Sequence, residues 1–251
     1  MSRRVGRQNR RIQGVTGVVV AAFGPTTVSG NAVFLTGDSG FSTGATSTWI
    51  DQSPATLGNW TQSVVGQVPS ASTINGVAAP LFTGVAASST YSFLVGPSLS
   101  SLTAGHAFVV ASPNVDSLGH GMWQFGVGGA GSEEFMPYLS GLVYENFGST
   151  TRQSTGITLT AGPQVLEFIS TSTEWTFKIN GVQQFTTATN TVGFSTSGTL
   201  IGCTTAAPNS NSAATSYPSN MKIGAVVVYN AKLSAGNAST VVTGLRTKYG
   251  F

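Results

Sequence analysis

Eight Asp and Glu, two His and one Cys are a sparse catalytic stock for a chain of 251 residues. Glycoside hydrolysis needs two carboxyls flanking one bond, about 5–9 Å apart. On a strand such a pair shows as acids two or four residues apart, because alternate side chains share a face. No acids stand at that spacing. Glu133 and Glu134 are neighbours and would face opposite ways, while Glu167 and Glu174 fall on different expected strands. His106, His120 and Asp116 supply partners for a nucleophilic serine, but no strand–turn–helix elbow presents one. His106 opens an apolar stretch and reads as structural; His120 lies in Gly119-His120-Gly121, a turn. Cys203, the single cysteine, can form no internal disulfide and no cysteine-rich zinc site, and it is expected as a buried free thiol. Calcium takes roughly six to eight oxygens. Only Asp38 and Asp116 could anchor a loop site for it, and turn hydrogen bonds of the Asx type explain Asp38 and Asp51 better. The expectation is a non-enzymatic chain without cofactor or metal.

Binding chemistry is better represented. Sugar recognition uses aromatic faces beside amides and hydroxyls, and Trp60, Trp123, Tyr138, Tyr144 and Tyr217 are the candidates. Core burial claims large aromatics first, which favours the interior for Trp60, Trp123 and Tyr138. Tyr138 and Tyr144, six residues apart, would nevertheless share a strand face; with Glu145 and Asn146 they form the candidate glycan groove. A second binding element is electrostatic. Arg3, Arg4, Arg7, Arg10 and Arg11 place five positive charges in the first 11 residues. The rest of the chain carries six Lys and Arg against eight Asp and Glu, a net of −2. Such arms bind polyanions or an acidic partner surface, or are simply solvated. The apolar run at 15–23 that follows imitates a secretory h-region, but Thr16 and Gly17 interrupt it and no small-x-small cleavage site follows. The acidic body lacks the basic, aromatic-interleaved patch of a nucleic-acid binder. No stretch approaches the roughly 20 apolar residues of a membrane span.

The elements that must carry these residues are strands. Hydrophobic residues make up 40% and charged residues only 8%, with 32 Gly and 10 Pro spread along the chain. This is the composition of many short strands joined by turns, not of a charge-laced helical protein. Strands are expected at 108–111, 122–127, 138–144, 165–170, 174–180 and 222–229. In the fifth, Trp175, Phe177 and Ile179 share the inward face. Asn180-Gly181 should turn the chain into a hairpin, because a type I′ turn needs positive φ at both central residues. In the last, Ile223, Ala225, Val227 and Tyr229 are expected on one side, Val226 and Val228 on the other. One helix follows, capped by Ser234, with Ala235, Ala238, Val241, Val242 and Leu245 inward and Gly250 as its stop.

Two stretches carry a recognisable pattern. Residues 37–84 run from Asp38-x-Gly40 through Trp49-x-Asp51-x-Ser53, Asn59-x-Thr61-Gln62 and Pro69 to Asn75-Gly76 and Phe82-x-Gly84. Residues 222–251 give a strand, a Tyr229-Asn230-x-x-Leu233-Ser234 cap, a helix and a final Lys248-Tyr249-Gly250. Together with EWTFKINGV at 174–182, they resemble the laminin G-like, concanavalin A-like domains of phage virion and bacterial surface proteins. The chain departs from them at 54–58, where Pro-Ala-Thr-Leu-Gly replaces Gly-Asn-Gly, and at Ala225, where an acid is usual.

The resemblance implies an all-β, two-sheet antiparallel jelly-roll sandwich over 15–251, with one short C-terminal helix and an extended basic arm over 1–14. With the missing catalytic set and the lysine-poor body, it leads to an expected virion structural protein of a tailed phage. That protein would be a capsid decoration, spike or fibre component on the virion surface, tethered by its arginines to capsid or fibre subunits and assembled with copies of itself. The alternative is a carbohydrate-binding adhesion module for host surface glycans; a glycoside hydrolase of the same fold is a third reading.

Overall fold

Apolar residues at nearly every position of 33–35, 108–111, 165–169 and 225–229 leave these strands no polar face, so both faces must be covered. The computed structural model, which describes residues 23–24, 26–84, 91–116, 118–127, 134–138, 141–196, 198–205 and 216–251, shows how. The first sheet runs, edge to edge, Asn31–Thr36, Met221–Tyr229, Gly105–Pro113, Gln164–Thr171, Glu174–Ile179 and Val182–Thr187, all antiparallel. The second runs Trp123–Gln124, Leu200–Ile201, Leu94–Val95, Trp60–Gln62, Ser47–Trp49 and Phe41–Ser42. The expected arm with its five arginines lies outside the described residues.

Alternation sorts the side chains of the first sheet into two cores. Val33, Leu35, Val109, Phe168, Val226 and Val228 meet Trp49, Trp60 and Trp123 between the sheets. Phe34, Phe108, Val110, Val165, Val227 and Tyr229 face the helix Ala235–Tyr249, which offers Val241, Val242, Leu245 and Tyr249. Trp175 and Phe177 are fully buried, as their alternation with Thr176 and Lys178 requires, and Ile179 packs half-buried against the same core. The hairpin turns at Asn180 and Gly181 with φ of 52° and 82°. Ser234 Oγ accepts from the Asn237 N–H at 3.2 Å at the start of the helix, and Gly250, at φ 70°, ends it. Ala235, expected inward, is exposed, and Tyr249 extends the buried stripe instead.

One register expectation fails. Ile223 does not share a face with Ala225, Val227 and Tyr229. A β-bulge between Ile223 and Ala225 sends Ile223 to the inter-sheet core and Ala225 to the helix side. Gly224 allows it: a Cβ there would lie 2.6 Å from the Tyr249 ring, and the Tyr249 hydroxyl donates to the Gly224 carbonyl.

The patterned residues near the N-terminus act as ties. Trp49 Nε1 donates to Thr36 O at 3.0 Å. Asp51 Oδ1 accepts from the N–H groups of Phe34 and Ser53, both at 2.9 Å, which fixes a turn against the first strand. Asn75, in the left-handed region at φ 48°, donates to the carbonyls of Tyr249 and Gly250 and so binds a hairpin to the end of the helix.

Candidate functional site: an aromatic cleft above a carboxyl pair

The expected strand 138–144 is instead part of a reversal. Tyr138 and Leu142 face each other across a tight turn, with Tyr138 N donating to Leu142 O at 2.7 Å and Gly141, at φ 79°, donating back to Tyr138 O at 2.8 Å. Only Leu142–Glu145 is a strand, paired with Gln153–Thr158. On the incoming side Phe135 bridges Tyr144, exchanging both backbone hydrogen bonds at 2.6 and 2.9 Å. Residues 134 and 145 are therefore the next pair across, the kind without hydrogen bonds, in which facing side chains approach most closely.

This register decides which side chains meet. Phe135 and Tyr144 point to one face and, with Tyr138, Tyr217 and Arg152, line a cleft of about 270 Å³. Tyr138 and Tyr144 stand edge to face with ring centres 5.4 Å apart, and Phe135 packs against Tyr138 at 4.4 Å and Tyr217 at 4.7 Å. The Arg152 guanidinium lies over Tyr144 at 5.1 Å and Phe135 at 5.8 Å, a cation–π arrangement. The loop behind is held by His120, whose ring nitrogens lie 3.0 Å from Pro218 O and 2.9 Å from Asp116 Oδ1. Phe135 is buried; the other four aromatic and cationic side chains are half-buried.

Glu145 and Asn146 do not flank this cleft. Both are fully buried: Tyr144 takes the outer face, so its neighbour Glu145 points inward, and Asn146, past the end of the strand, lies against Gly126. Glu145 Oε1 accepts from Trp123 Nε1 at 2.9 Å, Phe147 N at 2.9 Å and Asn146 N at 3.1 Å. Directly opposite in the register is Glu134, 1% exposed, whose carboxyl accepts from Gly126 N at 3.4 Å and from the backbone of Phe125. Burial, then the charge of Glu145, push the Glu134 carboxyl well above the usual range. Burial pushes Glu145 up to about 8, with the hydrogen bond from Trp123 opposing. No acids stand two or four apart along a strand, yet these two carboxyls share a face. The partners come from the two arms of a reversal, 11 residues apart, where a scan for acids two or four apart along one strand cannot see them.

The remaining candidates have structural occupations. Asp38 pairs with Lys248 at 2.9 Å. Asp116 accepts from Leu118 N at 2.8 Å and from His120 and Asn220. Among the described residues no group of three or more His, Cys, Asp and Glu could hold a metal ion. His106 is buried, with Nε2 2.8 Å from Glu167 Oε1 and Nδ1 accepting from Leu233 N at 3.1 Å. Cys203 is free and buried, and burial raises its thiol. Phe135 and Arg152 went unmarked in the sequence; their nearest signal is Arg152 as the one basic residue between the arm and Lys178.

No protein-family model and no curated protein sequence matches this chain. Solved structures do. Trypanosoma rangeli sialidase in complex with sialic acid superposes with a TM-score of 0.57 and 15% identity, over 87% of this chain and 33% of that one. Domain 4 of AbnA, a GH43 extracellular arabinanase from Geobacillus stearothermophilus, in complex with arabinotriose, gives 0.56 and 12%, over 85% and 98%. The binding domain of Paraclostridial Mosquitocidal Protein 1 gives 0.55 and 8%, over 86% and 52%. The chain spans about a third of the length of the sialidase. At these identities the likeness establishes the fold, a β-sandwich of the kind present in carbohydrate-active and carbohydrate-binding proteins, in keeping with the concanavalin A-like resemblance.

Proposed function

We propose that this protein is a non-enzymatic carbohydrate-binding module whose glycan site is the cleft of Tyr138, Tyr144, Tyr217 and Arg152. The convergence of three tyrosines and one arginine from three separate segments carries the reading. Aromatic faces take the apolar C–H face of a sugar ring, while phenol and guanidinium groups bond its hydroxyls. The cleft's volume lies at the small end of ligand sites, which suits a terminal sugar rather than a long chain. A binding rather than cleaving role is supported by the close carboxyl pair found among the described residues. Its members are fully buried and sealed from the cleft, whereas a glycosidase exposes its two carboxyls to the substrate, about 5–9 Å apart around the bond. A glycan array, followed by titration of the best binder, tests the assignment. Tyr144→Ala and Arg152→Gln should each weaken binding by about tenfold or more, equivalent to about 1.4 kcal/mol. Absence of any binder, or affinities indifferent to both substitutions, would reject it.

The charge asymmetry of the sequence favours a second, compatible reading. Five arginines ahead of a body of net −2 suit a tether, so the module would be displayed on a virion surface through capsid or fibre subunits, as a homo-oligomer. Host surface glycans would then be the ligand of the cleft.

A further inference from the structure

Two carboxylates directly opposite one another on an antiparallel pair repel. Glu134 and Glu145 stand in that relation, fully enclosed, with no cation between them among the described residues. The oxygens that the N–H donors leave over, Glu134 Oε2 and Glu145 Oε2, are buried and meet no hydrogen-bond donor among the described residues. A buried acceptor left without a donor costs about 1–3 kcal/mol, and more when charged. The arrangement is satisfied if one carboxyl is protonated and donates to the other. The donors around them identify which. Glu145 faces three N–H groups, from Trp123, Asn146 and Phe147, and suits the charge. Glu134 has fewer, the long contact from Gly126 and one from the backbone of Phe125, and suits the proton.

The position of the pair matters as much as its chemistry. Phe135 and Tyr144, the bridged residues next to the two acids, form the floor of the cleft on the other face. We propose that Glu134 and Glu145 share a proton and so clamp the two backbone segments of the cleft floor, which keeps the cleft formed only while that proton is held. Loss of the proton leaves two negative charges facing each other in the interior, and the segments must part.

The groups around the pair leave few rivals for such a titration. The segment of Trp123 and Gly126 supplies N–H donors, and the strand Cys203–Thr205 supplies the Thr204 hydroxyl, which accepts from Glu134 N at 3.1 Å. Cys203 on that strand packs instead with Tyr91, Phe93 and Leu200. His120 turns its ring to Asp116 and Pro218 O. From the cleft side come Arg152 and the phenols of Tyr138, Tyr144 and Tyr217.

The experiment compares the wild-type chain with Glu134→Gln, whose amide donates to Glu145 as the protonated acid does but cannot ionise. Tryptophan fluorescence, which reports Trp123 beside Glu145, and binding of the best array glycan are followed from mildly acidic to strongly alkaline pH. Wild type should show a transition in both. Apparent affinity should fall about tenfold for each pH unit above it, as the competent fraction shrinks. Glu134→Gln should bind as wild type does at neutral pH and lack that transition, keeping only the changes that tyrosine ionisation produces. A transition identical in the two proteins overturns the clamp, and so does its absence from wild type. Infrared spectra of wild type provide a check independent of the variant's folding. A protonated-carboxyl band persisting at neutral pH and vanishing in alkali supports the proposal; fully ionised carboxylates at neutral pH overturn it. Added calcium or a chelator should change nothing at neutral pH, and a calcium-dependent signal would make the pair an ion site instead. The binding readout rests on the glycan reading of the cleft, but the fluorescence does not. A titration present in wild type and absent in Glu134→Gln, with no glycan bound, would preserve the clamp and reject the glycan site.

Discussion

At the scale of single residues, the few charged groups of the body are placed where each has a defined consequence. Glu167 Oε1 receives both His106 Nε2, at 2.8 Å, and Lys178 Nζ, at 2.7 Å. Burial works against its charge, but those two partners outweigh it and hold the carboxyl below its ordinary value of 4.5. Its stabilising effect is therefore present above the unfolded carboxyl value and is lost as pH falls through the lower folded one. Burial also lowers His106 from its ordinary 6.5, so acidification first costs stability as the unfolded chain binds a proton that the folded one resists. Glu167→Gln should lower the melting temperature at neutral pH, and the two melting curves should converge as pH falls below the ordinary carboxyl value of 4.5 and through the lower folded one. The Glu134–Glu145 pair contributes an opposite slope, since raised carboxyls lose stability with rising pH, but it is common to both proteins and cancels in the difference. Parallel curves would show that Glu167 is not held ionised by its partners. Trp175 offers a simpler test. It is fully buried and donates to Phe147 O at 3.0 Å, so Trp175→Ala should cost about 3–5 kcal/mol in denaturant unfolding. A loss under ~1 kcal/mol would contradict its place between the sheets.

At the scale of elements, what could be read in the sequence depended on how local the determining contact is. The Asn180-Gly181 hairpin and the Ser234 and Gly250 helix ends are set by backbone chemistry within a few residues, and all three stand where the sequence puts them. The bulge at Gly224 was not legible, because its cause is Tyr249, 25 residues away in sequence. Gly224→Ala should therefore destabilise by about 1–3 kcal/mol, the usual cost of overpacking. Tyr249→Phe, which leaves the bulge carbonyl without its hydroxyl donor, should cost about 1 kcal/mol or more. Urea unfolding of both variants checks this, and a neutral Gly224→Ala would mean that the helix can move off the sheet. The cleft shows the same limit. Tyr138 and Tyr144 were marked for their types and do meet, but through a reversal at Gly141 and not along one strand. Read as one strand, 138–144 hides the register that places Glu134 opposite Glu145 and sends Glu145 and Asn146 inward.

At the scale of the whole molecule, charge is divided more sharply than structure. All six basic side chains beyond the arm are engaged locally: Lys178 with Glu167, Lys232 with Glu174, Lys248 with Asp38, Lys222 with the Thr73 carbonyl, Arg152 over the cleft aromatics and Arg246 over Phe251. Three of the body's eight acids thus have a lysine partner, and its net charge of −2 is too small to neutralise the five arginines at 3–11. Those arginines, with Val5 and Ile12 the only aliphatic side chains among residues 2–12, have little to bury in either core. Deleting residues 2–11 should accordingly leave the melting temperature of the isolated protein nearly unchanged and turn its net charge from +3 to −2. If the arm is a tether, the same deletion should abolish co-sedimentation with the particle or partner that carries the full chain. Attachment of the full chain should weaken steeply with added salt where the partner is a polyanion, because each neutralised phosphate or carboxylate releases a counterion. Glycan affinity, set by the cleft, should be the same with and without the arm. Unfolding of the truncated chain would place the arm in the sandwich, while unchanged attachment would move the docking surface onto the sandwich itself, where Val182–Thr187, an edge strand among the described residues, is the first place to look.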